Sequence, residues 1–123
     1  MKNDDLRKRT KEFALSIIKL YAGLPKYNSA SRVIGKQMLR SGTSVGANYR
    51  EGCRSRSTAE FSSKLGICLQ EIDETLYWLE LLQESSLVDP LKIAAVHSEA
   101  DQLSAIFAAS LNTIKRNKGI SSK

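Results

Sequence analysis

Seven apolar residues, Phe61, Leu65, Cys68, Ile72, Leu76, Leu79 and Leu82, follow one another at steps of three and four. Such steps fall on one face of an α-helix and on no face of a strand. A seam this narrow suits packing against other helices at shallow crossing angles. The run opens with Ser57-Thr-Ala-Glu60, the pattern of a capping box, in which the Ser and Glu side chains satisfy each other's free backbone N–H groups.

Three further helices follow from the same reasoning. Leu6, Phe13, Ile17, Leu20 and Leu24 form a stripe on a helix from about 4 to 22. Gly23 is expected to cap it, Pro25 forbids its continuation, and Asn28 or Ser29 is placed to cap a helix over 30–54. The seam above occupies 58–84. Asp89-Pro90 then sets an N-cap followed by proline at the first helical position. The last helix, 90–116, carries Ile93, Val96, Ala100, Leu103, Phe107, Leu111 and Ile114, and a basic tail, KRNKGISSK, is expected to fray. Short connections force neighbouring helices antiparallel, so the expected fold is all-α: one domain spanning 1–123, an up-down-up-down four-helix bundle.

The second helix contains SGTSVGANYREG, three glycines in twelve residues. On a helical wheel Ile34, Met38, Ser41, Val45, Tyr49 and Gly52 make its core stripe, while Gly35, Gly42, Gly46 and Cys53 lie within about 20° of one line beside it. Glycines in a loop have no reason to keep helical register. Each costs about 1 kcal/mol relative to alanine inside a helix, so a close neighbour must offset the strip, either a helix of the same bundle or one of another subunit. A phosphate loop is a poor fit, because no Gly-Lys-Ser/Thr and no preceding strand accompany the glycines. Ser44, Asn48 and Glu51 form a polar row on a neighbouring face.

The chain carries a net charge of +6, divided as +9 over the first 64 residues and −3 over the rest. That asymmetry points to an acidic polymer as partner or to complementary faces that meet in an oligomer. No window is apolar enough for a membrane span and the N-terminal MKNDDLRKRTKEF is charged, so a cytoplasmic protein without membrane contact is expected. Cys53 and Cys68 read as free thiols, and with a single histidine neither a metal nor a cofactor is expected.

The stretch LPKYNSASRVIGKQMLRSGTSVGANYREG, followed by EFSSKLGICLQEIDETLYWLELL, resembles the four-helix-bundle proteins related to the 23S rRNA intervening-sequence protein. In that family a Leu-Pro turn precedes a helix bearing Arg-x-x-x-Ser-x-x-x-Asn-x-x-Glu-Gly and then an acidic third helix. The matching residues are Leu24, Pro25, Arg40, Ser44, Asn48, Glu51 and Gly52. The resemblance implies a left-handed bundle that assembles as a homopentamer, with several members encoded in insertions of bacterial 23S rRNA genes, and it implies no enzyme. The accessory variability determinant of diversity-generating retroelements looks like a relative, a basic pentamer that binds nucleic acid and a reverse transcriptase. RNA or DNA, and a protein partner of that kind, are therefore the expected partners.

The residues offer two uses for the charge. Arg32, Lys36, Arg40, Arg50 and Arg54 form a stripe along the second helix, joined by Arg7, Lys8, Arg9 and Lys11 of the first and by Arg56. These ten are the candidate nucleic-acid contacts, with salt-sensitive, weakly sequence-specific binding. Alternatively the stripe pairs with Glu71, Asp73, Glu74, Glu80 and Glu84 of the third helix, on the same or a neighbouring subunit. Gly35, Gly42, Gly46, Ser44, Asn48 and Glu51, with Tyr77 and Trp78 outside the seam, are candidates for helix packing or subunit contact. Catalysis finds no support, because His97 lacks an evident nucleophile and third group, and Glu71 with Glu74 lacks the Glu-x-x-His of a di-iron bundle.

Overall fold

The computed structural model describes residues 3–121, with side chains over 5–117. Four helices follow in order: α1 (Asn3–Ala22), α2 (Ser29–Cys53), α3 (Thr58–Glu84) and α4 (Pro90–Ser121). Each packs on its neighbours in sequence, and α1 closes on α4, which is an antiparallel four-helix bundle. The end of α4 differs from expectation, since it runs on to Ser121. The apolar stripe of the helix reaches the half-buried Leu111 and Ile114. The last two residues of the tail lie outside the described residues.

The helix ends show what holds each boundary. Asn28 Oδ1 accepts from Ser31 N–H at 2.9 Å, and Asp89 Oδ1 accepts from Leu91 N–H at 3.0 Å, so both N-caps act as their residue types imply. The capping box closes differently from expectation. Ser57 Oγ accepts from Glu60 N–H, but the Glu60 carboxylate takes the N–H of Arg56, one residue before the Ser57 amide it was expected to serve. Gly23 likewise departs from a left-handed cap, because its φ is not positive; tight turns from Gly23 N–H to Leu20 and from Leu24 N–H to Tyr21 end α1 instead. The left-handed position among the described residues is Ser86, with φ 62°, just past the end of α3.

Leu6, Phe13, Ile17, Leu20 and Leu24 from α1 meet Met38, Val45 and Tyr49 from α2, Leu65, Cys68, Ile72, Leu79 and Leu82 from α3, and Ile93, Ala100, Leu103 and Phe107 from α4. Ile34, Phe61 and Leu76, which the wheel assigns to the core stripes, are only half-buried. Of the buried polar side chains Thr10, Ser31, Ser41 and Thr75, two meet in the core: Thr75 donates to Glu71 carbonyl at 2.7 Å and lies 2.8 Å from Ser41 Oγ, a buried hydroxyl bridge between α2 and α3. Paired in this way, the hydroxyls avoid the cost of a buried unsatisfied group. Burial pushes the Cys68 thiol up to about 12.

Candidate nucleic-acid interface

The glycine strip of α2 lies against α1 of the same chain. A Cβ on Gly35 would meet Leu24 and Tyr21, one on Gly42 would stand 2.8 Å from Ile17, and one on Gly46 would stand 3.3 Å from both the carbonyl and the hydroxyl oxygen of Thr10. The contacts climb α2 as they descend α1, so the two helices run antiparallel with their backbones close. The neighbour that offsets the glycines is therefore within the bundle. Gly52 faces Phe61 and Lys64 of α3 instead.

Close approach at Gly46 leaves a shallow groove of ≈ 440 Å³ between α1 and α2. Its floor is Thr10, Ala14, Thr43, Gly46 and Ala47, and its walls are Arg7 and Lys11 on one side and Arg50 and Arg54 on the other. Each cation pair is spaced i, i+4, one turn and about 6 Å along its helix. Among the described residues none of these four side chains has an acidic partner within 4 Å. Glu51 also lines the groove, but its carboxylate is drawn 2.7 Å from Lys64 Nζ on α3. Four guanidinium or ammonium groups over a floor of short side chains can hold phosphate oxygens through charge-assisted hydrogen bonds.

Other members of the ten-residue set lie elsewhere. Arg9 faces α4, where it donates to both Glu99 oxygens at 3.0 and 2.7 Å and to Gln102. Arg40 is bound to Glu74 and lies 3.5 Å from Glu71 on α3, so for this residue the pairing with the acidic run is the arrangement found. Glu71 Oε2 is buried and accepts no hydrogen bond, with Arg40 as its nearby cation. The indole N–H of Trp78, joined by Arg40, holds the Glu74 carboxyl below the usual carboxylate range. Lys8 and Arg56 are exposed, and Arg32 and Lys36 sit on the first turns of α2, at the opposite end from the groove.

The remaining candidates are placed as follows. Asn48 donates to the carbonyl and hydroxyl oxygens of Ser44, one turn back on its own helix. Trp78 is half-buried against the core, and Tyr77 is exposed with its ring edge-on to Trp78 at 5.2 Å. His97 lies between Glu80 at 3.3 Å and Asp101 at 3.4 Å, and no cluster of metal-ligating residues occurs among the described residues. Among these residues no helix is long and apolar enough to cross a membrane.

Fold and site together define an all-α antiparallel four-helix bundle with an open, positively charged groove between its first two helices. Residues 2–109 match the family of the 23S rRNA-intervening sequence protein, and the chain belongs to that family. A crystal structure of a protein of unknown function from the S23 ribosomal protein family of Bacteroides thetaiotaomicron is 35% identical in sequence, with a TM-score of 0.83 over 91% of this chain and 99% of that one. A search of curated proteins finds no match.

Proposed function

We propose that this is a non-enzymatic cytoplasmic protein that assembles as a homo-oligomer, a pentamer, and binds the phosphate backbone of RNA or DNA through the α1–α2 groove. The observation that carries the reading is the set Arg7, Lys11, Arg50 and Arg54, two cation pairs free of carboxylate partners among the described residues and facing one another across small side chains. Counterions released from the nucleic acid supply the driving force, so affinity falls steeply with salt and depends little on sequence. Repetition of the groove around a ring multiplies the contacts. Assembly is supported by apolar side chains left in solvent on the outer faces, Leu15 and Ile18 on α1 and Val33 on α2.

Binding of generic RNA and DNA, measured by fluorescence anisotropy at about 50 mM salt where the electrostatic contribution is large, tests the proposal. Measurable binding of both is expected, and absence of binding to either overturns it. The same exposed apolar residues, with Tyr77, favour a second reading in which the bundle is a scaffold for a protein partner such as a reverse transcriptase. In that case nucleic acid fails to bind while the oligomer persists.

A further inference from the structure

From Phe13 to Arg50 the chain contains no acidic residue. The middle of that stretch is the turn between α1 and α2, Gly23 to Asn28, whose backbone is fixed at both ends. The tight turns onto Leu20 and Tyr21 close α1, and the Asn28 side chain caps α2. On this rigid turn Tyr27 is 103% exposed, the most exposed large apolar or aromatic side chain described, and its ring has no contact to another ring. An aromatic ring held in solvent on an ordered turn does nothing for the bundle's own core.

Its surroundings are those of an anion site. Lys26 precedes it, Arg32 and Lys36 follow on the first turns of α2, and that helix has no acid in its first turn to offset the positive end of its dipole. Beside the turn lies a pocket of ≈ 270 Å³ lined by Tyr21, Pro25, Lys26, Ser31 and Arg32 among others. Ser31 is fully buried and its hydroxyl has no hydrogen-bond partner, an omission uncommon inside proteins and one that an acceptor entering the pocket would repair. A helix N-terminus, two flanking cations and a spare hydroxyl donor all suit one phosphate group, and the exposed ring beside them suits one base.

We infer that the α1–α2 turn binds an unpaired nucleotide, with its base stacked on Tyr27 and its phosphate held by Lys26 and Arg32 at the head of α2. The inference rests on the nucleic-acid reading above and narrows its substrate to strands with single-stranded segments. A base inside a duplex presents no free face to a lone ring, whereas every unpaired base does. The turn and the groove lie at opposite ends of α2, about 27 Å apart at 1.5 Å per residue from Arg32 to Arg50. One strand that spans this distance engages both.

The test compares a dozen-nucleotide oligouridine with a duplex of the same length, using the wild-type chain, Tyr27→Ala, Tyr27→Phe, and a variant with Arg7, Lys11, Arg50 and Arg54 all changed to Gln. Tyr27 is in solvent, so its replacement leaves the fold intact. Tyr27→Ala is expected to weaken oligouridine binding roughly 5- to 100-fold and leave duplex binding unchanged, while Tyr27→Phe keeps both. Equal oligouridine affinity for Tyr27→Ala and wild type, or an equal loss on duplex, overturns the stacking role. If in that case the four-fold Gln variant still loses affinity, the groove reading stands alone. If wild type binds neither probe at about 50 mM salt, where electrostatic binding is strong, both readings fall together.

Discussion

Trp78 donates its indole N–H to Glu74 at 2.9 Å, and Arg40 binds the same carboxylate, so a single acid ties α3 to α2 and touches the chain's one tryptophan. Because the folded carboxyl titrates below its unfolded value, its contribution to stability is complete above the ordinary carboxylate range and is lost as pH falls through the lowered folded value. Tryptophan fluorescence followed by acid titration is expected to change in that low range, and Arg40→Gln is expected to move the transition upward. An unmoved transition would show that Arg40 does not hold Glu74. Ser86 supplies a second residue-scale expectation. Its φ of 62° costs a non-glycine residue about 1 kcal/mol, so Ser86→Gly should raise the free energy of unfolding by about that amount in urea titrations. A decrease would mean that the hydroxyl serves some contact that outweighs the strain.

At the scale of the elements, the four helices were legible because each carries an apolar stripe of helical period between recognisable caps. Asn28, Ser57 and Asp89 cap where short polar side chains should. The sequence pattern could not show which helix faces which. A wheel gives the angle of a residue about its own axis and says nothing of the neighbour, so the glycine strip left a helix of the same bundle and one of another subunit both open. For the same reason Arg9 and Arg40 read as members of one basic face, although α4 and α3 carboxylates claim them. Thr75 gave no sign of its partner, which is visible only once Ser41 is seen opposite it. Its position three residues from Ile72 and four from Leu79 was the available clue that it faces inward.

The glycine strip makes an element-scale expectation with its own control. Gly46→Leu drives a branched side chain into the Thr10 backbone, where even a Cβ is tight, and should separate α1 from α2 at a cost of about 1–3 kcal/mol or more. Gly66 on α3 has no atom within 4 Å of the position its Cβ would take, so Gly66→Ala should instead gain up to about 1 kcal/mol of helix stability. Urea denaturation reads both. Equal stability of Gly46→Leu and wild type would remove the close-packing account of the strip.

For the whole molecule, the two ends of α2 carry different surfaces. At its C-terminal end, close packing on α1 lets four cations converge over a floor of small residues, and at its N-terminal end a capped turn holds an aromatic ring among three more. The acidic half of the chain is engaged in part with Arg9 and Arg40, and Glu51 with Lys64, which leaves the groove cations available to an outside polymer. The central claim is that these groove cations contact phosphates, and the salt dependence of generic duplex binding tests it most directly. With Arg7, Lys11, Arg50 and Arg54 changed to Gln, the log–log slope of affinity against salt should become shallower by about 1 for each phosphate contact removed, whereas Arg40→Gln should leave it unchanged. A four-fold variant whose slope matches wild type would contradict the claim.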